Sequence, residues 1–257
     1  AVLARLPDLE RGLTRILHRT ATPAEFVHTH LALGKVHDTL SGIRCEPDEE
    51  MEDEDNDDKK KGEKKRKDKL QARLLVSLVA TAAAAETQRL NAKLLACVDV
   101  KAATDGNWLK LFKDEAMFPQ VFECARKISA AEDELRTELS QLRKTLKMPQ
   151  LEYFTVAGIE YLIELNLTVT VPKTWVKVNS TKAKNRFHPP EVLRAVRNLA
   201  LAREQHSAAC TAAWRYFLFK CAHSYGAFRA TVKAVATLDC LTALALLASH
   251  AGYTRPQ

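Results

Sequence analysis

WVKVNSTKAKNRFHPPEV, residues 175–192, interrupts a chain that otherwise reads as alanine-rich helix. Apolar and polar residues alternate at Trp175, Val176 and Val178, which is the period of a strand rather than a helix. Lys177, Lys182, Lys184 and Arg186 lie ahead of Pro189 and Pro190, and no acid appears before Glu191. A helical chain that stops to build a basic, extended segment points to a mainly α fold with a small β insert.

The residues upstream, EYFTVAGIEYLIELNLTVTVP (152–172), extend this β element. They are rich in β-branched and aromatic residues, and Ala157-Gly158 supplies a tight turn, so 152–156 and 159–165 are expected to pair as a hairpin. Residues 175–179 make a third strand and 185–187 a short fourth. Before the insert, a helix is predicted over 118–146, with Val121, Ala125, Ile128, Leu135, Leu139, Leu142 and Leu146 on one face and Met148-Pro149 ending it. After it, Pro189-Pro190 opens a helix to about 222, roughly 50 Å long at the α-helical rise. A break near 224–226 separates this from a further apolar helix reaching about 248. The two long helices are expected to run antiparallel, with a small antiparallel sheet at their tip.

The rest of the chain reads as helix with one exception. Residues 1–44 form two helices, the second opening at Thr22-Pro23-Ala24-Glu25 with threonine as N-cap and proline at the first helical position. Helical pattern returns over 70–100 and ends at a turn around Asp105-Gly106-Asn107. Between them, residues 46–69 hold twelve acids, eight bases and one large apolar residue, Met51. Such a segment cannot bury enough apolar surface to offset its ordering entropy, so 45–69 is predicted to be a disordered charged insertion. Its Lys64-Lys65-Arg66-Lys67 run fits a nuclear localisation signal or simply a solvated loop.

Composition sets outer limits. With 257 residues, 46% of them hydrophobic, the chain can bury a sizeable core, and 8 glycines and 9 prolines are too few turns for a β-sandwich or barrel. The formal charge of +7 includes a net −4 from 46–69, which leaves +11 on the remainder and favours an anionic partner. No uncharged apolar run approaches the ~20 residues a bilayer crossing needs; 74–85 and 241–249 are both too short, so no membrane is expected. No secretory signal is visible, and a chain that begins on Ala1 with helical pattern under way is expected to be part of a longer polypeptide. The six cysteines (45, 97, 124, 210, 221, 240) form no C-x-x-C pair and read as reduced thiols acting as small core hydrophobes.

Catalytic signals are absent. Gly34-Lys35 lacks the rest of a phosphate-binding loop, there is no G-x-G-x-x-G, and His28, His30 and His37 are spaced as surface histidines rather than metal ligands. The basic insert is the stronger candidate. From 165 to 190 it holds Lys173, Lys177, Lys182, Lys184 and Arg186 with no acid, together with Ser180 and Thr181. Cations, hydroxyls and exposed turn amides are the groups that recognise phosphate, although a solvated basic tip has the same composition.

Four stretches resemble the MutS-type mismatch repair proteins, in family order and across nearly the whole chain apart from 45–69. LPDLERGLTRI (6–16) resembles the start of the family's lever region, and EYLIEL (160–165) its clamp strand. STKAKNRFHPPEV (180–192) is similar to the turn that follows, and ATLDCLTALALLA with YTRP (236–248, 253–256) to the return to the core. VPKTWVKVNSTKA is nearest in wording to the large subunit of eukaryotic MutSβ, the form associated with insertion/deletion loops.

The resemblance implies lever helices at 1–146 and 191–257 and a β clamp at 147–190 that grips double-stranded DNA containing mismatches or loops, through the DNA backbone and away from the mismatch. The candidate DNA-backbone residues are Lys177, Ser180, Thr181, Lys182, Lys184, Asn185 and Arg186; of these Lys182 and Arg186 fit the family's clamp pattern, as do Phe187, Tyr161, Ile163 and Glu164. Bacterial members commonly carry Asn where this chain has Ala183 and an acid where it has Asn185, so no contact is carried to 183 and the tip gains positive charge. It also implies a second MutS-homologue subunit, a nuclear location, and an ATPase domain outside this chain that binds ATP and magnesium; no cofactor is expected in the chain itself. Two other classes compete: a helical adaptor whose basic tip meets an acidic protein, and, less favoured, a helical enzyme.

Overall fold

The computed structural model describes residues 6–43, 73–250 and 252–253. The predicted disorder of 45–69, its basic run and Cys45 lie outside the described residues. The elements are α1 (Leu9–Leu17), α2 (Pro23–Leu40), α3 (Arg73–Ala82), α4 (Ala85–Ala96), α5 (Val100–Thr104), a 3-10 turn (Trp108–Lys110) and α6 (Pro119–Thr145). Strands β1 (Tyr153–Val156), β2 (Ile159–Asn166), β3 (Val176–Ser180) and β4 (Lys184–His188) follow, then α7 (Pro190–Ala222) and α8 (Tyr225–Ala248). The mainly α fold with one small antiparallel sheet is as anticipated. The chain divides into two compact units, Ala1–Lys113 with Arg215–Gln257, and Asp114–Trp214.

In the first unit the helix starts follow their caps. Asp8 accepts from the Arg11 amide at 2.9 Å, and Thr22 and Glu25 form a reciprocal capping box, with Glu25 accepting the Thr22 amide at 2.8 Å. Helices α1 and α2 approach closely at Gly12, where an added Cβ would stand 2.3 Å from Thr29 Oγ1. That hydroxyl is itself tied to the Glu25 carbonyl at 2.8 Å.

The single helix expected over 70–100 is divided at Ala83 and Ala84. No proline or glycine marks the break, and Ala84 caps α4 with no side-chain hydrogen bond. The cause is tertiary: both helices pack on α2, but α3 packs chiefly on α8, and one straight helix does not serve both.

His30, expected at the surface, is 1% exposed. Its ring lies 4.2 Å from Phe26 and 5.0 Å from Phe228, centroid to centroid, and Phe217 closes on Phe26 at 5.1 Å. Nδ1 sits 2.6 Å from Asn91 Oδ1, while Asn91 Nδ2 donates back to the His30 carbonyl at 3.0 Å. An amide oxygen only accepts, so the neutral ring carries its proton on Nδ1 and leaves Nε2 as a bare lone pair. Nε2 is buried with no partner among the described residues. Burial pushes the His30 pKa down to about 4, partly opposed by Asn91. The spacing of the three histidines gave no hint of this, because the burial comes from α4, α7 and α8.

Helix α8 also departs from expectation. It is long and apolar enough to cross a bilayer by length and composition, which the run at 241–249 alone understated. Its first half packs into the unit through Phe228, Thr231, Ala234 and Val235, the last two against Val36 and Ala82, while Leu244, Leu246 and Leu247 are exposed. Cys97, Cys124, Cys210, Cys221 and Cys240 form no disulfide among the described residues; Cys210 and Cys221 are buried as expected, whereas Cys240 is exposed. Burial raises the Cys210 thiol to about 11, which keeps it protonated as a small apolar group.

In the second unit α6 and α7 are antiparallel. Ile128, Ala131 and Leu135 meet Val192, Ala195, Leu199 and Ala202, and Arg194 reaches Glu134 at 3.1 Å. The sheet order is β1-β2-β4-β3, with β1 and β3 at the edges. Ala157 and Gly158 take φ of 51° and 80°, a two-residue turn with both positions left-handed. Tyr161 is also left-handed, at φ 58°, beside a bulge in the β1–β2 register. Its ring meets Tyr153 edge-on at 5.3 Å, both pack against the α6–α7 seam, and the Tyr153 hydroxyl donates to the Leu135 carbonyl at 2.9 Å. Ile163, Leu165 and Phe187 form the sheet's apolar face, covered by Leu139, Leu142 and Leu146 of α6 and by Trp175.

The packing at Gly12 and at His30 sets two expectations for stability. Gly12→Ala should lower the urea midpoint by an amount equivalent to about 1–3 kcal/mol, because overpacking against a fixed threonine exceeds the gain in helix propensity. Pairing it with Thr29→Ala should recover most of the deficit. His30 is neutral when folded but protonates below its ordinary pKa of 6.5 when unfolded, so its contribution is fully present above 6.5 and is lost as pH falls toward 4. The decline amounts to about 3 kcal/mol across that window. Urea unfolding at stepped pH should show a steeper decline for wild type than for His30→Leu/Asn91→Leu, which removes both partners; equal slopes would contradict the assignment.

Candidate nucleic-acid interface

The register of the sheet decides where each basic side chain stands. Partners directly opposite across antiparallel strands share a face, and successive residues alternate faces. Ile163 is opposite Phe187, and Leu165 is opposite Asn185, so these four lie on the apolar face. Glu164 is opposite Arg186, and Asn166 opposite Lys184, on the other face. Asn179 of β3 is also opposite Arg186, while Lys177 is opposite Phe187 and Ser180 opposite Asn185, with a bulge at Val178 between them.

The seven residues named from sequence therefore do not form one surface. Lys177, Ser180 and Asn185 belong to the Phe187 face, Lys184 and Arg186 to the opposite one, and Thr181 and Lys182 to the turn joining β3 to β4. Lys177, Ser180 and Lys182 are exposed. Asn185 is half-buried, and its Oδ1 is enclosed with no hydrogen-bond partner among the described residues. Thr181 is spent on the turn: its amide donates to the Lys184 carbonyl at 2.8 Å and its hydroxyl accepts from the Lys184 amide at 3.1 Å. That closes a two-residue loop and leaves Lys182 and Ala183 at its end.

Lys184 and Arg186 are held by an acid that the sequence window, opened at 165, excluded by one position. Glu164 Oε1 accepts from Lys184 Nζ at 2.6 Å and Oε2 accepts from Arg186 Nε at 2.9 Å. Arg186 Nη1 donates also to Asn179 Oδ1 at 3.4 Å. The hydrogen bonds from Lys184 and then Arg186 hold the Glu164 carboxyl below its ordinary pKa, so it is ionised at neutral pH. The trio carries a net +1 rather than +2. Strand alternation alone would have placed 164 on the face of 186 once the register was known.

Lys173, Lys177 and Lys182 are exposed, and no carboxylate pairs with them among the described residues. They are point charges on flexible stems, mounted on a sheet whose core is fixed by α6. This arrangement can meet phosphates but has no planar, bidentate donor free to read base edges. No cluster of three or more metal-ligating side chains occurs among the described residues. A cavity of about 230 Å³ lined by residues including Pro23, Asn107, Trp108 and Leu111 contains no ionisable group.

Comparison with known proteins bears on all of this. A family model described as MutS domain III matches residues 1–245. The DNA mismatch repair protein MSH3 of Arabidopsis thaliana is 32% identical over 256 residues, covering 99% of this chain and 23% of the relative. Msh3 of Homo sapiens is 33% identical over 259 residues, with 99% and 21% covered. MSH3 of Mycosarcoma maydis is 34% identical over 263 residues, with 100% and 20% covered. The chain thus spans about a fifth of the length of these relatives. The likeness first read from four short motifs holds along the whole sequence, and the chain belongs to the MutS family, as an MSH3-like member represented by its domain III.

Proposed function

We propose that this chain grips duplex DNA through its phosphate backbone, without reading sequence, as the lever and clamp portion of a mismatch repair protein. The observation that carries this reading is the set of three exposed lysines, Lys173, Lys177 and Lys182, with no acid paired to them among the described residues, on and beside an otherwise well-packed β insert. Phosphate contacts of this kind supply sequence-independent affinity and strong salt dependence. The MSH3-like character supports a role with DNA containing insertion/deletion loops, a second MutS-homologue subunit as partner and a nuclear location. ATP and magnesium would be bound by an ATPase domain in the parent polypeptide, and α6 and α7 would couple its state to the clamp as rigid elements.

Lys184 and Arg186 are poor choices for testing this reading, because reversing either charge also breaks the Glu164 pairing. The informative change is Lys173→Glu/Lys177→Glu/Lys182→Glu in the full-length protein. Binding to matched, mismatched and looped duplexes should weaken by similar factors, and the log–log salt slope should flatten by ~0.9 for each phosphate no longer neutralised. Weakening confined to one DNA sequence, or no weakening, would contradict the proposal. So would a basic tip whose acidic protein partner is not displaced by unlabelled duplex.

A further inference from the structure

Resting on that reading of the clamp, we infer that Glu164 is an internal phosphate surrogate: it locks Arg186 in the sheet and withholds Lys184 from DNA, and so sets how strongly the clamp binds. The three side chains share one face, yet they are held unequally. Arg186 is opposite Glu164 in register, bonded through Nε at 2.9 Å and through Nη1 to Asn179, and its side chain is 18% exposed. It is a positioning residue that ties β4 to β2 and β3. Lys184 is opposite Asn166 instead, so its ammonium reaches diagonally, two residues back along β2, to meet Glu164 Oε1.

That diagonal reach lays the lysine stem across the sheet rather than out toward the turn, although the side chain is 48% exposed. The carboxylate beneath is 9% exposed, covered by its two partners. Each oxygen serves one cation, an arrangement that two oxygens of a phosphate could reproduce. A carboxylate placed under a phosphate-binding tip also repels the backbone directly. Both effects act in one direction: Glu164 lowers the number of cations the clamp presents from what its basic sequence suggests.

The test compares salt-titrated duplex binding by the full-length protein and three variants. Glu164→Gln retains an acceptor for Arg186 but removes the charge; it should bind several-fold tighter at low salt and steepen the log–log slope by ~0.9, one further phosphate neutralised. Lys184→Ala alone should leave the slope near wild type, because Lys184 does not meet phosphate while Glu164 is ionised. Glu164→Gln/Lys184→Ala should return the slope to wild type. An unchanged or weakened Glu164→Gln with an unaltered unfolding midpoint would overturn the inference. Should Glu164→Gln fail to fold, Lys184→Ala decides alone: a slope flattened by ~0.9 shows that Lys184 is already on DNA and overturns masking. The charge reversal at 173, 177 and 182 separates the two claims. If it is silent the clamp reading falls; if it weakens binding and Glu164→Gln is silent, only the masking falls.

Discussion

The apolar face of the four-stranded sheet has to be covered, and the last turns of α6 cover it. Leu139, Leu142 and Leu146 lie over Ile163, Leu165 and Phe187, with Trp175 closing the side at 6.1 Å from Phe187. Every other placement in the insert follows from this packing. Because side chains alternate along a strand, a one-residue slip would bury Glu164 and Arg186 and expose Ile163 and Phe187. The register is therefore fixed by burial, and with it the polar face that carries Glu164, Asn179, Lys184 and Arg186. The charged groups occupy positions left to them by the core, and the Glu164–Arg186–Asn179 contacts then tie the strands together on that face.

Leu162 and Ile163 are adjacent, pair regularly with Phe154 and Tyr153, and are both fully buried, so both faces of the sheet are covered at this point. The bulge between β1 and β2 comes just before them, with Tyr161 at φ 58°. A non-glycine residue in that region costs of order 1 kcal/mol. Packing of the Tyr161 ring on Tyr153 and on the α6–α7 seam offsets it, and the Tyr153 hydroxyl fastens β1 to the α6 backbone. Strain here is the consequence of serving two helices and one sheet at once.

Much of this was legible in the sequence because it is local. The Thr22–Glu25 capping box, the Ala157-Gly158 turn, the proline at the head of α7 and the alternating 175–179 stretch each act within a few residues, and each appears where expected. What sequence missed depends on distant partners. The break at Ala83 and Ala84 exists because α3 leans chiefly on α8 while α4 packs on α2. His30 is buried because Phe26, Asn91, Phe217 and Phe228 arrive from four helices. Glu164 was passed over because the basic window was drawn along the chain, whereas its partners are twenty and twenty-two residues away across a ladder.

Counting charge along a strand and counting it on a face give different answers, and phosphate responds to the second. The linear count from 165 to 190 is five cations and no acid. On the folded sheet two of those five cations, Lys184 and Arg186, share one carboxylate, and the hydroxyl of Thr181 is consumed in closing the loop. Lys173, Lys177 and Lys182 are left exposed, with no acid paired to them among the described residues. Under the proposed DNA-gripping function, the cations offered to phosphate are these three lysines rather than the five of the linear run.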